Sequence, residues 1–263
     1  MTIKTLLLVG LITLSTALTG CATPKNSDDD IVTVYFARHG KTLFNTFDLV
    51  QGWADTPLTE QGIEVARYLG EGLKDIQFDA YYTSDAGRQR ETMQVILQQM
   101  GVSNYHITEL KGLREVFYGG YEGSPNQKIV TDSMKLIGYK SVESYFNDYK
   151  AGKLPIKTII DPIAKVDPKG LAENYDQVKA RTQAALNTIV DNAHRNGDKN
   201  ILAVSSGMSM QVLIADLTDS IDKNKPLSNA TVIKITYKNG QYRVDEIGSM
   251  AYVNIGKQRL THP

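Results

Sequence analysis

Arg38-His39-Gly40-Lys41-Thr42 sets an imidazole beside a guanidinium, a pairing suited to phosphate chemistry. A guanidinium presents a fixed fork of N–H donors to phosphate oxygens, and a neutral imidazole nitrogen can attack phosphorus. Gly40 would let the backbone come close to an anion. A second candidate lies in "ILAVSSGMSM" (201–210), where an apolar run breaks at Ser205-Ser206-Gly207 and restarts as a helix. Ala203, Ser205 and Gly207 have the spacing of a nucleophile elbow with alanine in place of its first glycine. The four histidines (39, 106, 194 and 262) show no metal-ligand spacing among themselves or with Cys21, so no metal or other cofactor is expected.

The elements that must hold these residues follow from periodicity. "IVTVYFA" (31–37) is a continuous β-branched and aromatic run, the pattern of a buried central strand. Residues 58–73 carry Ile63, Ala66, Leu69 and Leu73 at helical spacing. "FDAYYTS" (78–84) reads as a second strand, and 85–100 as a helix with Met93, Ile96, Leu97 and Met100 on one face. "NYHITEL" (104–110) is a third strand candidate. Residues 170–195 form a long helix with a stripe of Tyr175, Val178, Leu186, Ile189 and Ala193. A strand at 200–206, a helix at 208–217 and a hairpin over 231–248, turning at Asn239-Gly240, complete the pattern. The segment 124–169, rich in Lys and Tyr and holding several prolines, reads as an inserted cap. Together these predict a three-layer α/β/α sandwich with a largely parallel central sheet. In such sheets chemistry collects beyond the carboxyl ends of the strands, which here means after residues 37, 83 and 204.

Lys+Arg and Asp+Glu both number 29, and this balance argues against a nucleic-acid partner. Residues 1–20 read as a secretory signal, with Lys4 ahead of an apolar run too short to span a bilayer. Its ending, Leu18-Thr19-Gly20-Cys21, resembles the lipobox of bacterial lipoproteins. That resemblance implies a diacylglycerol on Cys21, cleavage before it, and an extracytoplasmic protein held to the bacterial cell membrane by lipid. Residues 21–30 would be a polar tether and 31–263 the folded domain. Cleavage leaves 28 basic against 29 acidic side chains.

Four blocks, in order, resemble the histidine phosphatase superfamily, the phosphoglycerate mutase-like proteins. Arg38, His39, Gly40, Thr42 and Asn45 match its opening signature, and "GWADTPLTEQG" (52–62) looks like its Gly-x-x-Asp-x-Pro-Leu-Thr-x-x-Gly segment. "SDAGRQRET" (84–92) is similar to Ser-x-x-x-Arg-x-x-x-Thr and selects Arg88 over Arg90. "LREVFYGGYEG" (113–123) matches Leu-x-Glu-x-x-x-Gly-x-x-Glu-Gly, offering Glu115 as acid and leaving Glu122 to loop structure. The resemblance implies a phosphorylated small molecule or other phosphoester as substrate. It implies that His39 attacks phosphorus and forms a phosphohistidine, that Glu115 protonates the leaving alcohol, and that Arg38 and Arg88 hold the equatorial oxygens. Thr42 and Asn45 are candidate phosphate hydrogen-bonders, or caps of their turn.

One position departs from the pattern. The family has Ser-His-Gly where this chain has Ser205-Ser206-Gly207. Ser206 would supply a hydroxyl in place of a second phosphate-binding imidazole. Two readings stand side by side: a phosphatase slowed by that loss, in which a histidine restored at 206 raises turnover, and a binding protein for phosphorylated ligands. A third, a serine esterase using Ser205, needs a histidine downstream, and only His262 lies there, in a tail with no sign of order. His106 and His194 read as structural. The location speaks against phosphoglycerate mutase activity, and the cap, with Tyr139, Tyr145 and Tyr149, is the expected source of specificity.

Overall fold

Alternating side chains of the first strand explain the layering. In the computed structural model, which describes residues 31–262, β1 (Val32–Arg38) sends Val34 and Phe36 to one face and Tyr35 and Ala37 to the other. Both sets are buried, which is why the strand is apolar throughout. The sheet has six strands in the order β3-β2-β4-β1-β5-β6, with β2 (Ala80–Thr83), β3 (Ile107–Glu109), β4 (Asn200–Ser205), β5 (Val232–Lys238) and β6 (Gln241–Ser249). β1, β2, β3 and β4 run parallel, and β5 and β6 close one edge antiparallel. The hairpin turns at Asn239 and Gly240, both at positive φ, as a two-residue turn of matching twist requires.

One face of the sheet packs against α2 (Glu60–Leu73), α3 (Gly87–Met100) and α9 (Ala251–Thr261) through Ala66, Leu69, Met93, Ile96 and Val253. The other face packs against α7 (Tyr175–Asn196) and α8 (Gly207–Ile214) through Leu186, Ile189, Met210 and Leu213. This is the α/β architecture expected from the sequence. The cap comprises α4 (Asn126–Met134), α5 (Val142–Lys150) and α6 (Ile156–Val166), packed around Tyr145, Ile156, Ile159 and Ile160 and onto Val178 and Val212.

Two boundaries differ from the sequence reading. α7 starts at Tyr175, not 170. Asn174 caps it reciprocally with Gln177, while the Asp167 carboxylate accepts main-chain N–H bonds from Lys169, Leu171 and Ala172 and ties those residues into a turn. The tail is not unstructured either, since α9 lies along α2. Gly72 and Gly256 permit this approach: a Cβ at either would come within 1.8 Å of a main-chain oxygen of the opposite helix. Glycines that let two helices touch leave no apolar stripe to read, so the sequence concealed the contact. The signal, Cys21 and the whole tether lie outside the described residues.

Candidate functional site

Register brings the three nominated strand ends together. Arg38 pairs with Ser205 across β1 and β4, and Thr83 with Val204 across β2 and β4. The His39 N–H donates to the Ser205 carbonyl at 3.1 Å, so the turn after β1 is fastened to the turn after β4.

His39 is buried, and its Nδ1–H donates to the Gly40 carbonyl at 2.8 Å. That bond fixes the tautomer and leaves Nε2 as the unprotonated nitrogen. Burial holds the imidazole well below the ordinary histidine range, and the Arg88 and Arg38 guanidinium groups push the same way, against the Gly40 bond. The folded chain therefore refuses a proton that the unfolded chain accepts near pH ~6.5. The stability contribution is present above that pH and is lost as pH falls through the window below it. Imidazole ¹⁵N shifts of His39 should show the neutral Nδ1–H form at pH 6. A charged imidazole there would contradict this assignment.

Two guanidinium groups flank His39. Arg38 donates through Nη1 to the Leu227 carbonyl, and its Nε is buried with no protein partner. Burial lowers its pKa, against the pull of the Glu115 carboxylate. Arg88 is completely buried and held from behind. Nη1 bonds the Ala54 carbonyl at 3.1 Å and Asp55 at 2.9 Å, and Nη2 bonds the Gly52 carbonyl at 2.7 Å. Of its five N–H groups, Nε–H and one on Nη2 remain unclaimed. Two buried cationic donors without acceptors, in a protein interior, are costly unless an anion meets them. Arg90, by contrast, pairs with Glu109 on the surface.

The loop behind Arg88 is itself tied down by Glu122, whose carboxylate accepts N–H bonds from Gly52, Trp53, Ala54 and Tyr118 at 2.9–3.0 Å. Glu115 is nearly buried. It takes N–H bonds from Ser209 at 2.8 Å and Met208 at 3.1 Å at the start of α8, and from Val116 at 2.9 Å. Oε1 carries two of these bonds and Oε2 one, so Oε2 has more capacity left for a proton or water. Arg181 clamps this stretch by donating to the carbonyls of Gly112, Arg114 and Glu115.

Other candidates are placed differently. Thr42 caps α1 (Leu43–Thr46) in a reciprocal box with Asn45, and its hydroxyl donates to Gln51 at 2.6 Å. It is fully buried and its bonding capacity is spent on the turn. Asn45 accepts from Thr42 N and from Asn229 Nδ2, and it lines the cavity described below. Gly40 is required by packing, because a Cβ there would lie 2.6 Å from the Gly62 carbonyl oxygen of α2, and its N–H donates to Thr92 Oγ1 at 3.0 Å. Ser205 donates to the Leu113 carbonyl at 2.9 Å, and among the described residues its hydroxyl bonds no imidazole. His262 follows α9, and His106 and His194 precede β3 and β4 at the opposite end of the sheet.

Ser206 is fully buried, and its Oγ accepts a bond from Gln89 Nε2 at 2.9 Å. Gln89 also donates to the Leu113 carbonyl at 3.2 Å and accepts from Ser84 N at 2.9 Å, so main-chain groups fix which way its amide faces. The Ser206 hydroxyl hydrogen stays available as a donor. A histidine at 206 would have to displace Gln89, which corrects the expectation that the imidazole can simply be restored. Sequence spacing gave no sign of Gln89 because its role is set by a residue 117 positions away.

Arg38, Asn45 and Glu115 open onto a cavity of about 280 Å³ roofed by the cap. His39, Arg88 and Ser206 are not among its lining residues and sit behind them. Among the described residues no cluster of three or more His, Cys, Asp or Glu side chains could hold a metal ion.

Comparison with known proteins bears on the family and the fold. The chain is 38% identical to the structure of phosphoglycerate mutase from Bacillus anthracis str. Sterne, with a TM-score of 0.81, covering 89% of this chain and 100% of that one. It is 28% identical over 216 residues to the phosphoglycerate mutase of Schizosaccharomyces pombe, covering 80% of this chain and 92% of that one. It is 24% identical over 238 residues to the broad-specificity phosphatase YOR283W of Saccharomyces cerevisiae, covering 88% and 92%. The family model of the histidine phosphatase superfamily (branch 1) matches residues 34–140 and 153–249, and the chain belongs to that superfamily.

Proposed function

We propose that the protein is a phosphomonoester hydrolase that works through a phosphohistidine at His39. The observation that carries this is a neutral buried imidazole, Nε2 unprotonated, flanked by two buried guanidinium groups with unclaimed N–H donors. In the first step Nε2 attacks phosphorus and the ester oxygen leaves with a proton from Glu115. In the second, water attacks the phosphohistidine, gives its proton to the same carboxylate, and releases phosphate. The unclaimed donors of Arg38 and Arg88 meet the equatorial oxygens, where charge spreads in the transition state. Ser206 adds one neutral hydroxyl donor, so turnover is slowed and not lost.

The full-length protein should hydrolyse an aryl phosphate and carry an acid-labile phosphoryl group on His39 during turnover, detected by mass spectrometry of quenched enzyme. Vanadate binding without hydrolysis or phosphoenzyme would favour a binding protein for phosphorylated ligands. A hydrolase whose activity died with Ser205→Ala and survived without His39 would be an esterase of another class.

We further propose that the domain works outside the cytoplasm, anchored by lipid at Cys21. The support is the four-residue match Leu18-Thr19-Gly20-Cys21 after a short apolar run. Metabolic labelling with a fatty acid should disappear in Cys21→Ser, and persistent labelling would sink the assignment.

A further inference from the structure

The cavity in front of the phosphate-binding groups has a chemical character of its own. Its walls are mostly aromatic and aliphatic, with Tyr118, Tyr145, Phe146 and Tyr149 facing Ile159 and Ile163 among others. Arg38 is the single cation lining it, and Glu115 and Asp48 are its acids. Arg38 is committed to the phosphoryl group in the mechanism above, so the alcohol part of a substrate meets no positive charge. A carboxylate or second phosphate there would find no cation left to pair with and would share the cavity with Asp48, while Glu115 carries the proton it gives to the leaving oxygen.

The tyrosines add no charge to this site. Tyr118 spends its hydroxyl on Met208 Sδ at 2.8 Å. Burial raises the Tyr149 hydroxyl to about 12, which keeps it neutral beside Glu115. Tyr145 packs edge-on to Tyr139 and Phe146, with centroids 5.6 Å apart in both pairs, which holds the aromatic wall rigid. Tyr139 itself bonds Asp148 and does not line the cavity. At about 280 Å³ the space is near the lower end of small-molecule sites.

Resting on the phosphatase reading, we infer that the substrate is a phosphomonoester whose alcohol is uncharged and largely apolar, of the size of one or two rings. A small anionic alcohol such as glycerate is selected against by this wall. The leaving oxygen lies at the mouth of the cavity by Glu115, and its organic group packs between Phe146, Tyr149 and Ile163. Phe146 and Tyr149 are only partly buried by the protein, so a bound ring covers apolar surface that is otherwise wet.

The test compares three primary alkyl phosphates, whose leaving groups differ little in basicity: 2-phenylethyl phosphate, glycerol 1-phosphate and 3-phosphoglycerate. The full-length protein should show kcat/KM for the phenylethyl ester at least about tenfold above glycerol phosphate and about 100-fold above 3-phosphoglycerate, mostly through KM. Phe146→Ala should bring the first two within about threefold of each other. Phe146→Arg should shift the preference toward 3-phosphoglycerate. Equal kcat/KM for all three esters, or a preference for 3-phosphoglycerate in the wild type, overturns the inference while leaving the phosphatase reading intact. If none is hydrolysed, the phosphatase reading is what fails. Calorimetric affinities of the same three esters then decide the pocket, with tighter binding of the phenylethyl ester sustaining the inference and equal or weaker binding ending it.

Discussion

Replacing His39 with alanine is expected to remove hydrolysis and the phosphoenzyme together, a loss of at least about 10⁴-fold in kcat. Removing a nucleophile that acts as part of a unit costs on this scale, roughly 5–6 kcal/mol of transition-state stabilisation. No other group can take over. His106 and His194 lie at the far end of the sheet, and the neighbouring hydroxyls of Ser205 and Thr42 are bonded to Leu113 and Gln51. The variant should still fold, because among the described residues the His39 side chain makes one hydrogen bond, to its own neighbour Gly40, while its main chain keeps the bond to Ser205. It should also still bind vanadate, since Arg38 and Arg88 are untouched. Aryl phosphatase rates and calorimetry on the same preparation check both halves. Residual turnover above about one per cent would remove His39 from the role of nucleophile.

The second large effect concerns Ser206. Ser206→His alone should be destabilised and no faster than wild type. Both Ser206 and Gln89 are completely buried, and forcing an imidazole into that packing costs about 1–3 kcal/mol. The displaced amide of Gln89 would also leave Ser84 N–H without its partner, while the Leu113 carbonyl keeps the Ser205 hydroxyl. Gln89→Ala alone should be destabilised by about 1–3 kcal/mol for the stranded Ser84 N–H. Together the two substitutions make room for a ring beside His39 and should couple by about 1–3 kcal/mol in urea unfolding. If the new imidazole reaches the phosphoryl group, kcat should rise by on the order of 100- to 1,000-fold, the typical worth of one such donor. A Ser206→His single variant as stable and as active as the double would show that Gln89 does not control this position.

These two expectations sit differently with respect to the sequence. His39, Arg38 and Arg88 were nominated by residue type and block spacing, and the parallel register of β1, β2 and β4 sets their turns side by side. The sequence block leaves Glu122 to loop structure, and its four main-chain bonds make it the brace under Arg88. Thr42 and Asn45 carried two readings each. The structure gives Thr42 to the cap and puts Asn45 on the cavity wall, because a side chain's last hydrogen-bond partner depends on which loop folds against it.

By itself the sequence determined the α/β layering, the strand ends where chemistry gathers, and a phosphate-directed set of residues. The layering and the strand ends follow from short-range periodicity, and the phosphate-directed set follows from the resemblance of the four blocks to the superfamily; both are local in the chain. Only the tertiary structure decided which arginine donors stay unclaimed, that Gln89 bonds Ser206, that α9 docks on α2 through glycines, and that the cap sets an apolar wall over a cavity whose one cation, Arg38, comes from β1. Each of these depends on contacts between residues far apart in the chain, where distance and burial decide whether a group is spent or free.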